Sequence, residues 1–204
     1  MKKLYLLALS CLLLTQCKKD ENVAQDETRP GEEIPAKIDI EKRTVEIMKE
    51  TAPQAIGTWV LQEVHINATK LYGAQPLGIQ KDTVFKDFAT LKLYPATRAR
   101  YKPVQAKHPE FEGTITLKNK TYPVYFSLLV NPDYLFRSEG PQAFFLFDFN
   151  FPDGTRIPEE EDKLLKDLGV VGDNFSFQIQ PKAPLMVWKG LNRGVKEIIF
   201  KKVQ

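Results

Sequence analysis

Few side chains in this sequence have a type and spacing that does chemistry unaided. Its two thiols, Cys11 and Cys17, fall in or beside an apolar N-terminal segment. Its two imidazoles, His65 and His108, lie far apart. Neither has a ligand-spaced neighbour, so no metal site is expected on them. No serine stands in a Gly-x-Ser-x-Gly setting, and no glycine-rich phosphate loop is present. The run Glu159-Glu160-Glu161-Asp162 lacks the spacing of a calcium loop, and consecutive acids on a helix do not converge on one ion. It reads as a charge match for a helix N-terminus and a solvated face. Asp148 and Glu112 qualify as glycosidase carboxylates by residue type alone, because such pairs meet only in the fold. The expectation is a non-catalytic protein without cofactor or metal.

The suggestive chemistry is apolar. In QAFFLFDFNF (142–151), strand alternation puts Phe145, Phe147, Phe149 and Phe151 on one face. Phe144, Leu146, Asp148 and Asn150 fall on the other. The strictly alternating DNFSFQIQ (173–180) adds Phe175, Phe177 and Ile179 on one face. Phe145, Phe147, Phe149, Phe175 and Phe177 would line a site for a small hydrophobic or amphipathic ligand if the interior is hollow. If it is filled, they are core, and both readings stay open at this stage.

The elements that must position these residues follow from the pattern. With 204 residues, 43% of them hydrophobic, the chain can bury a core, and wholesale disorder is excluded. A net charge of +3, from 29 basic and 26 acidic residues, is too even for a nucleic-acid binder. Residues 18–37 are charged and poor in large apolar side chains, so they read as a flexible tether. Residues 38–50 have helical periodicity, which Ala52-Pro53 should stop. From Gly57 onward the chain reads as β: 57–64, 83–94, 97–105, 113–118, 121–130, a brief 133–137, 142–151, 173–180, 185–189 and 195–203. Pro123 implies an edge or a strand start. Residues 158–168 read as a short helix ended by Gly169. No βαβ rhythm or fixed-period repeat appears. The expected fold class is all-β, an antiparallel β-barrel of 8–10 strands with an N-terminal helix and one short helix.

Two resemblances add to this reading. MKKLYLLALSCLLLTQC (1–17) has a basic start, an apolar stretch too short to span a bilayer, and Leu14-Thr15-Gln16-Cys17. It resembles the lipobox of bacterial lipoproteins. Gln16 stands where that pattern has a small residue. The resemblance implies a signal peptide over 1–16, acylation of Cys17, a lipidated tether over 17–37 and a domain over 38–204. Several acyl chains on one cysteine anchor stably where a single chain does not. Lys19-Asp20-Glu21 resembles the surface-export signal of Bacteroidota lipoproteins, which implies a surface-exposed outer-membrane protein. Asp82-Thr83-Val84 resembles their short O-glycosylation sequon and makes Thr83 a candidate site.

IGTWVLQEV (56–64), at the head of a long all-β run, resembles Bacteroidota lipocalin-like lipoproteins. In lipocalins Gly-x-Trp opens the first strand, and the Trp closes the barrel floor beneath a basic residue of the last strand. The resemblance makes Gly57 and Trp59 structural floor residues, with Arg193, Lys196 or Lys201 as the basic partner. It implies a lipid-anchored module binding a small apolar ligand. The alternative is an accessory lipoprotein that binds another envelope protein through its surface.

Overall fold

The chain divides into Met1–Lys37 and Ile38–Gln204. A computed structural model describes residues 38–71, 77–97, 106–152, 160–180 and 184–203, all in the second unit. Cys17 and residues 98–105 of the strand expected over 97–105 lie outside the described residues. No helix among the described residues is long and apolar enough to cross a membrane.

The domain is a closed antiparallel barrel, the all-β lipocalin-like architecture expected. Its ten strands are β1 (Gly57–Ile66), β2 (Thr83–Lys86), β3 (Thr90–Pro95), β4 (Glu110–Leu117), β5 (Lys120–Ser127), β6 (Leu129–Val130), β7 (Ala143–Phe149), β8 (Asp173–Gln180), β9 (Leu185–Gly190) and β10 (Val195–Lys202). Eight of them, β1-β3-β4-β5-β7-β8-β9-β10, form the ring, and β10 pairs with β1 to close it. Each strand neighbours the next in sequence, so the barrel is an up-and-down meander. Closure leaves none of the eight as a sheet edge.

Two staves that read as single strands are broken. The 83–94 stretch divides at Asp87–Ala89, where Asp87 adopts a φ of 46°. Across that break the pairing with β1 shifts by one residue. The 121–130 stretch divides at Leu128, whose N–H to Pro109 O is the last bond in register with β4 before β6 turns to pair with β7. Pro123 is not on an edge, since β5 lies between β4 and β7. It marks where the β5–β7 ladder gives out: its carbonyl accepts from Asn150 N–H, and it has no N–H to return.

Three α-helices among the described residues cover the barrel ends. Helix α1 (Ile40–Ala55) opens on an Asp39 cap and buries Ile47, Met48 and Ala55. It runs through Pro53, which the sequence pattern took as its stop. Pro53 sits in the last turn, which closes with the tighter Ile56 N–H to Pro53 O bond. Residues 133–137 are not a strand but helix α2 (Pro132–Arg137), capped by Asn131, whose side chain accepts from Asp133 N–H. Helix α3 (Glu160–Leu168) is the short helix expected, and it buries Leu165 and Leu168. Of the acidic run, Asp162 is buried rather than solvated, because it falls on the inner face of α3.

The core runs the length of the barrel interior and continues under α1 at one end and α3 at the other. A polar clamp fixes the α1 end. The Gln142 amide donates to Ile179 O and accepts from Ile179 N–H, both at 3.0 Å, extending the β7–β8 ladder through a side chain.

Candidate functional site

The interior is the first place a ligand site was expected. Phe145, Phe147, Phe149, Phe175 and Phe177 all face inward and are buried. Three of them gather around Phe145. Its ring centroid lies 6.4 Å from Phe147, 5.7 Å from Phe175 and 6.3 Å from Phe177. Trp188 of β9 stands 4.7 Å from Phe145, 5.1 Å from Phe147 and 4.4 Å from Phe200. At these separations the rings pack edge to face and stacked against one another. Phe149 lies apart, beside Phe151 and Tyr122 and beneath the ammonium of Lys166 on α3.

The Gly57–Trp59 pair sits at the α1 end, called the floor below. Trp59 is 1% exposed, and its indole N–H donates to Ala55 O at 2.8 Å. The basic residue over its ring is Lys202, with Nζ 5.1 Å from the centroid. Lys202 is registered directly opposite Trp59. This corrects the three partners proposed from sequence. Arg193 lies at the far end of β10, where its N–H bonds Asp173, while Lys196 and Lys201 are exposed. The Lys202 ammonium also approaches Gln54 O at 3.5 Å, at the electronegative end of α1. Gly57 has a φ of 129°, and a Cβ there would meet Lys202 Cε at 3.0 Å. The backbone conformation therefore favours glycine, and a Cβ there would also press on the lysine stem crossing it.

The opposite end, called the rim below, holds a groove of about 770 Å³. Leu77, Ile79, Phe85 and Leu164 give it apolar walls, while Gln80, Lys81 and Thr83 add polar groups. Strand pairing explains the floor of this groove. Phe85 opposes Val64 and Thr83 opposes Ile66, so both share the inward face of β1. Above the break at Asp87–Ala89 that face is no longer covered by β4, whose pairing with β3 ends at Thr90↔Thr116. Segment 77–81 and α3 stand around the opening.

Thr83, the candidate glycosylation residue, faces this groove. Its hydroxyl donates to Lys81 O at 2.8 Å, and its neighbour Asp82 accepts from Ala68 N–H at 3.0 Å. A sugar on Thr83 would stand in the groove.

The remaining candidates do not converge. Glu112 and Asp148 are on the outer wall, each registered against Tyr125 from opposite sides. They are therefore two strand spacings apart, about 10 Å along the sheet. Glu112 accepts from Thr97 N–H and hydroxyl, and Tyr125 donates to Glu110. His65 Nε2 lies 2.8 Å from Glu63, and among the described residues no group of His, Cys, Asp and Glu is placed to hold a metal ion.

Sequence reading missed the rim groove and Lys202. The groove is assembled from a loop, a strand and a helix far apart in sequence, and no local pattern marks it. Compared with protein-family models, curated proteins and solved structures, the chain finds no match.

Proposed function

We propose that this chain is a non-catalytic outer-membrane lipoprotein, anchored through Cys17, that binds a small amphipathic molecule at the barrel rim. The groove at 77–85 and Leu164 carries this reading. Its volume lies within the range of small-molecule sites, and its apolar walls with a few convergent polar groups suit such a ligand. Leu77, Ile79, Phe85 and Leu164 would take a hydrocarbon portion. Lys81, Gln80 and Thr83 would take a polar or anionic head. Phe145, Phe147, Phe175 and Phe177 then act as core and not as lining, because they already pack on one another and on Trp188.

The test is native mass spectrometry of the chain incubated with lipid extract, followed by titration with a fluorescent long-chain carboxylic acid. A discrete adduct, lost in Leu164→Asp and kept in Phe147→Leu, is the expected result. An adduct that Leu164→Asp leaves unchanged would remove the groove from consideration.

A second reading, an envelope-protein partner bound at the surface, draws on the outer wall. Leu129 and Leu146, each 51% exposed, flank Phe144 on neighbouring strands. Exposed apolar groups clustered in this way favour a contact surface over plain solvent. Cross-linking on whole cells with and without Leu146→Lys separates the two.

A further inference from the structure

Strand β2 is the one place where the closed barrel exposes a sheet edge among its described strands of four residues or more. It pairs with β1 on one side only, and no strand lies on its other side among the described residues. The cause is the break at Asp87–Ala89 together with the early turn of β4 into β5 after Leu117. Asp87 N–H bonds Gln62 O, which fixes the alternation of the ladder. Thr83 and Phe85 turn their backbone groups toward β1. Val84 and Lys86 turn theirs outward, with Asp82 continuing the same phase. Val84 is also 44% exposed, an apolar side chain on an unpaired strand.

We infer that β2 is a self-association edge, pairing antiparallel with β2 of a second copy about a two-fold axis through Val84. The occupant follows from charge and phase. Outward-facing backbone groups meet only if even-numbered residues oppose even-numbered ones. With Val84 opposite Val84, Lys86 falls opposite the second copy's Asp82, and Asp87 opposite its Lys81. Every charge on the strand and its flanks then meets its opposite, which stabilises cross-strand pairs. Centring the axis between two residues breaks the hydrogen-bond phase, and centring it on Thr83 or Phe85 keeps the phase but puts Lys86 opposite Gln80 or Val84 instead of an acid. Edge strands are commonly protected by a lysine, and Lys86, which already reaches Glu63 at 4.0 Å, would serve that role against a neutral strand. Against a second copy it is matched by an acid. The resulting contact is isologous and closed, so it ends at a dimer. Phe85 of each copy comes opposite Thr83 of the other, on the inward face beside the rim groove.

The experiment uses the full chain in its native membranes. Val84→Cys is treated with a short bifunctional thiol reagent, since hydrogen-bonded antiparallel partners have Cα atoms about 5.5 Å apart. Leu129→Cys, exposed on the outer wall, reports random collision. The expected result is a dimer linked through residue 84 and monomer for residue 129. Adding Lys86→Asp to Val84→Cys should abolish the dimer, and Asp82→Lys with Lys86→Asp should restore it. Equal yields from positions 84 and 129, or a yield indifferent to the charge at 86, overturns the proposal. Neither result depends on whether the rim groove binds a ligand.

Discussion

The two ends of the barrel are closed by different physics. At the floor, α1 is held by direct bonds, a buried one from Trp59 to Ala55 O and a part-buried one from Lys202 to Gln54 O, while Gln142 ties the neighbouring turn to β8. At the rim, α3 is anchored by the buried Leu165 and Leu168 and by Arg193 donating to Lys166 O, but between it and segment 77–81 a groove is left, walled by the half-buried Leu77, Ile79, Phe85 and Leu164. A saturated end sets stability, and an incompletely covered end leaves surface for binding. The groove proposed as the binding site therefore draws on few of the residues that hold the floor.

That contrast can be broken by mutation, beginning at the floor. Trp59→Ala removes a fully buried indole and should cost about 3–5 kcal/mol in urea unfolding. A cost under about 1 kcal/mol would mean that α1 is not part of the cooperative core. Gln142→Ala strands the N–H and C=O of Ile179 and should cost about 1–3 kcal/mol in the same assay. Lys202→Met keeps the stem but removes the charge over Trp59. It should cost about 0.5–1 kcal/mol, and high salt should shrink that difference. At the rim, Leu164→Asp should change stability by about 1 kcal/mol or less while abolishing uptake of the amphipathic probe. Equal destabilisation by Leu164→Asp and Trp59→Ala would erase the distinction between the ends.

Much of the barrel was legible because its strands alternate strictly. DNFSFQIQ was read to the residue, and the inward set Phe145, Phe147 and Phe149 was assigned correctly. Alternation fails where the backbone slips. Gln62 is an extra residue on β1 relative to β10, so Val64 and Ile66 face inward where a strict period from Trp59 would place Glu63 and His65. The break at Asp87 is equally invisible to a hydrophobic pattern, yet it creates both the groove and the free edge. Asn131-Pro132-Asp133 did carry a signal, a cap followed by a first-turn proline, and a strand reading overrode it. Lys202 was passed over because β10 offers several cations and only the register selects one.

The pairing of β10 with β1 has a consequence for how the domain is made. Their partnership joins the first strand of the ring to the last, so the ring stays open until Val195–Lys202 arrives. Until then β1 and β9 each present a bare row of donors and acceptors, the condition in which chains misassociate. Non-local topologies of this kind fold on the millisecond-to-second scale, since a long loop must close before its contacts form. Lys202, arriving last over Trp59, is thus the latch of the assembly. A folding chain needs those bare edges shielded for as long as that final strand is missing.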